Sequence, residues 1–167
     1  HDAGFLYSDT AHSNANVSLL HIYDQSTAPG GVVRFKSVLA HIERRLHRAP
    51  LLRQRLKRVP LGLDHPYWVD DENFDLEYHV RHAALPWPGG ERELGELVGR
   101  LHSTPIDLAR PPWECTIIEG LSDDRFGLFV KMHHSLIDGV SGMKMLQRAM
   151  STDRARSEGM PPFWATG

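Results

Sequence analysis

Apolar and polar positions alternate along the chain in stretches that predict short strands and amphipathic helices in turn. VSLLHIY, residues 17 to 23, has the β-branched and aromatic content of a strand, and the polar DQSTAPGG after it ends that strand. Between Arg34 and Arg48 the residues Phe35, Val38, Leu39, Ile42 and Leu46 recur at helical spacing, which predicts a helix with one buried stripe, stopped by Pro50. LKRV (56 to 59), YWVDD (67 to 71) and LEYHVRHAA (76 to 84) are bounded by Pro, Gly and Asp and read as strands or extended connections. Leu94, Leu97, Val98 and Leu101 share one face of a helix expected from Glu91 to His102, preceded by the turn LPWPGG and ended by Thr104-Pro105.

WECTIIEGL (113 to 121) and RFGLFVKMHH (125 to 134) carry the stronger strand patterns, and SDD between them predicts a hairpin. Val140, Met143, Leu146 and Met150 then place a helix from Gly139 to Met150. After Thr152 the polar, Pro- and Gly-bearing DRARSEGMPP reads as a linker, so residues 1 to 152 are expected to form one folding unit and 153 to 167 to lead out of it. Strands interleaved with helices in 167 residues fit an α/β unit of single-domain size. The first residue is His1 and the last stretch is PPFWATG, from which the chain is expected to be a piece of something longer.

Charge narrows the partners little. With 19 basic and 21 acidic residues the chain is near neutral, so nothing global points to nucleic acid. A single cysteine, Cys115, excludes an intrachain disulfide framework and a four-thiolate zinc site, which fits a cytoplasmic setting. No apolar run approaches the roughly 20 residues that span a bilayer, and HDAGFLYSDT lacks the layout of a signal peptide. Any membrane contact is therefore expected to be peripheral.

Chemistry concentrates in KMHHSLIDGVSG, residues 131 to 142, where a strand pattern gives way to a helical one. His133, His134 and Asp138 are ligand types, yet adjacent residues of a strand point to opposite faces, which is poor geometry for one metal ion. Ser135, Ser141 and Cys115 are the nearby nucleophile types, but GVSGM departs from a G-x-S-x-G elbow at Met143, and a cysteine in mid-strand reads as a small hydrophobe. General-base catalysis by one histidine uses every residue of the stretch. One imidazole faces a cleft, the other is held in the sheet, Asp138 returns toward the rings, and Gly139 permits a close turn. A lone histidine at a strand end is more often a structural residue; the linked His-His, Asp-Gly and strand-to-helix context sets this stretch apart.

A second feature is the basic run Arg44, Arg45, Arg48, Arg53, Arg55, Lys57 and Arg58, interleaved with Leu46, Leu51, Leu52 and Leu56. It reads either as a solvated face or as a surface attracting phosphate groups or anionic lipid. No recognition motif accompanies it, so nucleic acid is not an expected partner.

HHSLIDG resembles the HHxxxDG motif of the chloramphenicol-acetyltransferase-like superfamily of CoA-dependent acyltransferases, which includes the condensation domains of nonribosomal peptide synthetases. FLYSDTAHSNANVSLLHIYD, HIERRLHRAPLLRQRL and PPWECTIIEGL are similar to the N-terminal half of bacterial wax ester synthase/diacylglycerol acyltransferases, over roughly residues 2 to 164. The resemblance implies a half-domain of that α/β fold, two-layered, with a mixed sheet and packing helices. It implies transfer of a long-chain acyl group from acyl-CoA, a co-substrate with no further cofactor, to the hydroxyl of a diacylglycerol or long-chain alcohol. His134 would be the base, His133 its support, Asp138 the residue that holds the turn, and Gly139, Pro112 and Trp113 motif support. The oxyanion donor and the far wall of the acyl tunnel would come from a C-terminal half, and the setting would be cytoplasmic, peripheral on the inner membrane or lipid droplets. One departure stands out. The usual Pro-Leu-Trp is here Pro111-Pro112-Trp113, whose middle residue has no backbone N–H to donate.

Overall fold

The computed structural model describes residues 4–12, 16–26, 30, 34–57 and 67–139. A five-stranded mixed sheet forms the centre, built from β1 (Gly4–His12), β2 (Asn16–Asp24), β5 (Val80–Ala84), β6 (Trp113–Leu121) and β7 (Arg125–His133), in the order β1-β2-β7-β6-β5. All neighbours are antiparallel except β5 and β6, which run parallel with Val80 opposite Cys115. β3 (Gln54–Lys57) and β4 (Tyr67–Asp70) pair separately as a two-stranded antiparallel sheet.

Alternation along the strands gives the main sheet two apolar faces, each covered by a helix. On one face Leu19, Trp113, Cys115, Ile117, Val130 and Met132 pack with Ile42 and Leu46 from α1 (Phe35–Arg45) and the 3₁₀ turn that follows it. On the other, Leu20, Ile22, Ile118 and Phe129 pack with Leu94, Leu97, Val98 and Leu101 of α3 (Glu91–Ser103). The α/β class with a mixed sheet and packing helices is as expected, but the helices are divided between the two faces, so the described residues form three layers rather than the expected two. At the start of α3 the Glu93 carboxylate accepts the Gly90 N–H at 2.9 Å, satisfying a donor the helix itself leaves unpaired.

Several elements differ from the sequence reading. β1 is a full strand that FLYSDT does not announce; it is specified by pairing with β2 along its whole length. The helix expected to run to Arg48 tightens after Arg45 into a 3₁₀ turn, Leu46–Arg48, and Pro50, expected only to stop it, opens a second one, Pro50–Arg53. LEYHVRHAA is not uniformly extended. Asp75 accepts the Glu77 N–H at 3.0 Å and caps a single helical turn, α2 (Leu76–His79), before β5 begins. The hairpin between β6 and β7 forms as expected, with Asp123 and Asp124 in the left-handed region at φ 62° and 52°. Residues 140 to 167, which include most of the expected last helix and the linker, lie outside the described residues.

Burial also imposes a pH dependence. His21 on β2 has its pKa lowered to about 4 by burial, and burial likewise lowers that of His79. Below the ordinary imidazole value of 6.5 the unfolded chain takes up protons that these native histidines refuse. Native stability is therefore expected to be fully present above that value and to fall as the pH drops toward about 4. The slope approaches about 1.4 kcal/mol per pH unit for each histidine kept neutral. Urea midpoints across this range check it, and His21→Leu is expected to flatten the slope; a midpoint independent of pH would contradict it.

Candidate active site

The histidine pair sits at the end of the central strand. β7 is hydrogen-bonded on both sides, with Trp113 of β6 and Val17 of β2 opposite Met132, and Asn16 opposite His133. His133 is the last strand residue, and His134 is already the first residue of a helix, α4 (His134–Gly139). The strand expected through residue 134 therefore ends one residue earlier, and the helix expected from Gly139 starts five residues sooner. A strand-to-helix change, not the pleat of a strand, separates the two imidazoles, so the alternation argument against a shared metal ion does not apply to them. Leu136, with 0% exposure, drives α4 into the core beneath β7, and the interior place of that leucine fixes where the helix must begin.

Pro112 and Ser135 help to orient His133. Its backbone N–H donates to the carbonyl of Pro112 at 3.0 Å. Its ring Nδ1 accepts the backbone N–H of Ser135 at 3.2 Å and lies 2.8 Å from Ser135 Oγ. A backbone N–H can only donate, so the neutral ring carries its proton on Nε2. His134 is half-buried, and among the described residues its side chain forms no hydrogen bond. Asp138 and Gly139 complete the backbone of α4, and the Asp138 side chain lies outside the described residues, as does Ser141.

The PPW turn is packed against this strand end. Pro111 and Pro112 are fully buried, and the Trp113 N–H closes a tight turn onto the Pro111 carbonyl at 2.9 Å. Pro112 contributes its carbonyl, the acceptor for His133, so the N–H that proline lacks is not what this position supplies. Trp113, 1% exposed, donates Nε1–H to the Leu52 carbonyl at 2.8 Å and lies in the core. His79 stacks on the indole at 4.7 Å, and its Nδ1 is 2.8 Å from the Trp113 carbonyl, an acceptor that places the ring proton on Nδ1.

Cys115 is no nucleophile in this state, since burial pushes its thiol up to about 12. Of the basic run, Arg44, Arg48, Arg53 and Lys57 are exposed, Arg44 and Arg45 form the last turn of α1 where cations suit the helix dipole, and Arg53 stacks over Phe74 at 5.1 Å. Arg58 lies outside the described residues. Sequence reasoning missed Ser135 as the partner of His133, His79 as the partner of Trp113, and the buried Lys131. Only Ser135 had a local signal, its position two residues after the ring it contacts.

The catalytic-domain model of wax ester synthase/diacylglycerol acyltransferase matches residues 1–167. The chain belongs to this family. A putative diacylglycerol O-acyltransferase of Mycobacterium tuberculosis is 42% identical over 153 residues, 90% of this chain and 30% of its own. A probable diacylglycerol O-acyltransferase of the same species is 39% identical over 142 residues, 85% of this chain and 51% of its own. Among solved structures, the wax ester synthase/diacylglycerol acyltransferase of Marinobacter aquaeolei VT8 superposes with a TM-score of 0.72 at 40% identity, over 90% of this chain and 37% of that one. The first condensation domain of the calcium-dependent antibiotic synthetase, at 17% identity and a TM-score of 0.57, shares the fold. The chain thus spans about a third to a half of the length of these family relatives. Among the described residues no helix is long and apolar enough to cross a membrane.

Proposed function

We propose that the protein carrying this chain moves a long-chain acyl group from acyl-CoA to the hydroxyl of a diacylglycerol or long-chain alcohol, giving triacylglycerol or wax ester. The observation that carries the reading is the whole-length family match with HHSLIDG at the end of the central strand. His134 takes the hydroxyl proton as the alcohol oxygen attacks the thioester carbonyl. The tetrahedral oxyanion collapses to ester and CoA thiolate, and the imidazolium returns its proton to the departing sulfur. His133, fixed through Pro112 and Ser135, supports the strand end, and Asp138 holds the turn. Acyl-CoA is a co-substrate, and the route needs no cofactor. A C-terminal half supplies the oxyanion donor and the remaining tunnel wall. The exposed arginines between residues 44 and 57 suit peripheral attachment in the cytoplasm to the inner membrane or a lipid droplet.

Identity near 40% to acyltransferases, against 17% to a condensation domain, favours the lipid reaction over peptide-bond formation. The test is to incubate the full-length protein with palmitoyl-CoA and either dioleoylglycerol or hexadecanol, following thiol release and lipid products together. One ester formed per CoA released is the expected result; CoA released with free acid alone would make it a hydrolase. Ser135→Ala separates direct transfer from a serine nucleophile. The backbone N–H still fixes the His133 ring in that variant, so transfer is expected to stay within about three-fold of wild type. A loss beyond about a hundred-fold would point to an acyl-serine.

A further inference from the structure

Lys131 is 1% exposed on the central strand, two residues ahead of His133 and therefore on the same face of β7. Burying an ammonium is costly unless every hydrogen finds an acceptor. Here Nζ donates to the Leu101 carbonyl at 2.6 Å and to the Thr104 carbonyl, both at the C-terminal end of α3, and lies 3.5 Å from Glu114 Oε1. Those helix-end carbonyls are ones α3 leaves without internal partners. Its register partners reinforce the contact. Glu114 is opposite on β6 and Ser18 on β2, and Ser18 Oγ is 2.6 Å from His102 Nδ1, also in the last turn of α3.

The connection from α3 to β6 is thereby held to β7 at both ends. Thr104, where it leaves the helix, is gripped by Lys131, and Pro112, where it joins β6, accepts the His133 N–H at 3.0 Å. The two anchor points on β7 are two residues apart. A displacement of the helix end would reach the carbonyl that fixes His133 through the connection from Thr104 to Pro112. An apolar side chain at position 131 would fill the same space and leave the Thr104 carbonyl without the Nζ donor that ties it to β7.

We propose that Lys131 is a positioning residue for the histidine pair: it clasps the end of α3 to β7, so that the Pro112 carbonyl meets the His133 N–H and sets where the strand ends and α4 begins. The proposal rests on the reading of His134 as base, but amide exchange tests the clasp without reference to activity. In the full-length protein, Lys131→Met is expected to lower kcat at least about ten-fold with KM for acyl-CoA unchanged, as small misplacements of reacting groups do. Hydrogen exchange of the peptides covering residues 104 to 113 and 131 to 136 is expected to quicken at least about ten-fold, with the far end of β2, Ile22 to Asp24, and its partners Arg125 to Gly127 on β7 unaffected.

The double variant Lys131→Met/Glu114→Leu separates positioning from stability. Removing both partners of a buried pair is often neutral for stability. Its urea midpoint is expected to return toward wild type while kcat and local exchange remain perturbed. Unchanged exchange in Lys131→Met, recovery of kcat and protection together in the double variant, or loss of protection spread evenly over the sheet would each overturn the proposal. So would failure of both variants to fold, which would make Lys131 a residue of the whole fold. Altered local exchange in a protein without acyl transfer would retain the clasp and reject only the base assignment.

Discussion

His134→Ala in the full-length protein is expected to lower ester formation by about 10²- to 10⁴-fold while acyl-CoA binding stays near wild type. The magnitude is that of losing a positioned base, since the alcohol must then shed its proton to water. Folding should be little affected, because His134 is half-buried and, among the described residues, makes no side-chain hydrogen bond. The anchoring of α4 depends instead on Leu136 and on the backbone bond from His133 to Pro112. Stopped-flow binding of acyl-CoA beside steady-state product formation checks both halves of the expectation. Turnover above about half of wild type would remove His134 as the base.

His133→Ala is a useful contrast. It leaves the backbone bond to Pro112 intact but removes the ring that Ser135 contacts, so a smaller loss in rate is expected than from His134→Ala. Equal losses from both would mean that the two imidazoles act as a unit.

The sequence was legible where a period repeats over a whole element. Leu94, Leu97, Val98 and Leu101 announce α3, and the alternation in 113 to 121 and 125 to 133 announces the hairpin that carries the motif. It was illegible where one residue or a distant partner decides. β1 owes its extended form to β2, and α2 to a single carboxylate, Asp75, capping one turn. The start of α4 depends on Leu136 entering a core assembled from residues far apart in sequence, so the motif's histidines looked like neighbours on one strand. The HHSLIDG pattern pointed to the strand end. What holds that end, Pro112 by its carbonyl and Lys131 by its grip on α3, joins residues 21 and 27 to 30 positions apart, and no local pattern carries that information.

Trp113→Ala is expected to be the most destabilising single change in the described part of the molecule, by about 3 to 5 kcal/mol. The indole is 1% exposed, and its removal leaves a large cavity between β6, the turn at Leu52 and α2. It also leaves the Leu52 carbonyl without the Nε1–H donor at 2.8 Å and strips His79 of the ring stacked on it at 4.7 Å. Losing a buried hydrogen-bond partner, itself about 1 to 3 kcal/mol of desolvation, places the loss toward the upper end of that range. Trp113→Phe keeps an aromatic face for His79 and loses only the donor and part of the volume, so its cost should be roughly half as large. Urea denaturation of the full-length variants, with kcat measured on the fraction that remains folded, distinguishes packing from chemistry. A tryptophan that only packs should give folded Trp113→Phe with near-normal kcat. A midpoint unchanged in Trp113→Ala would contradict its place in the core, and a stable Trp113→Phe with collapsed turnover would assign the indole a part in the reaction itself.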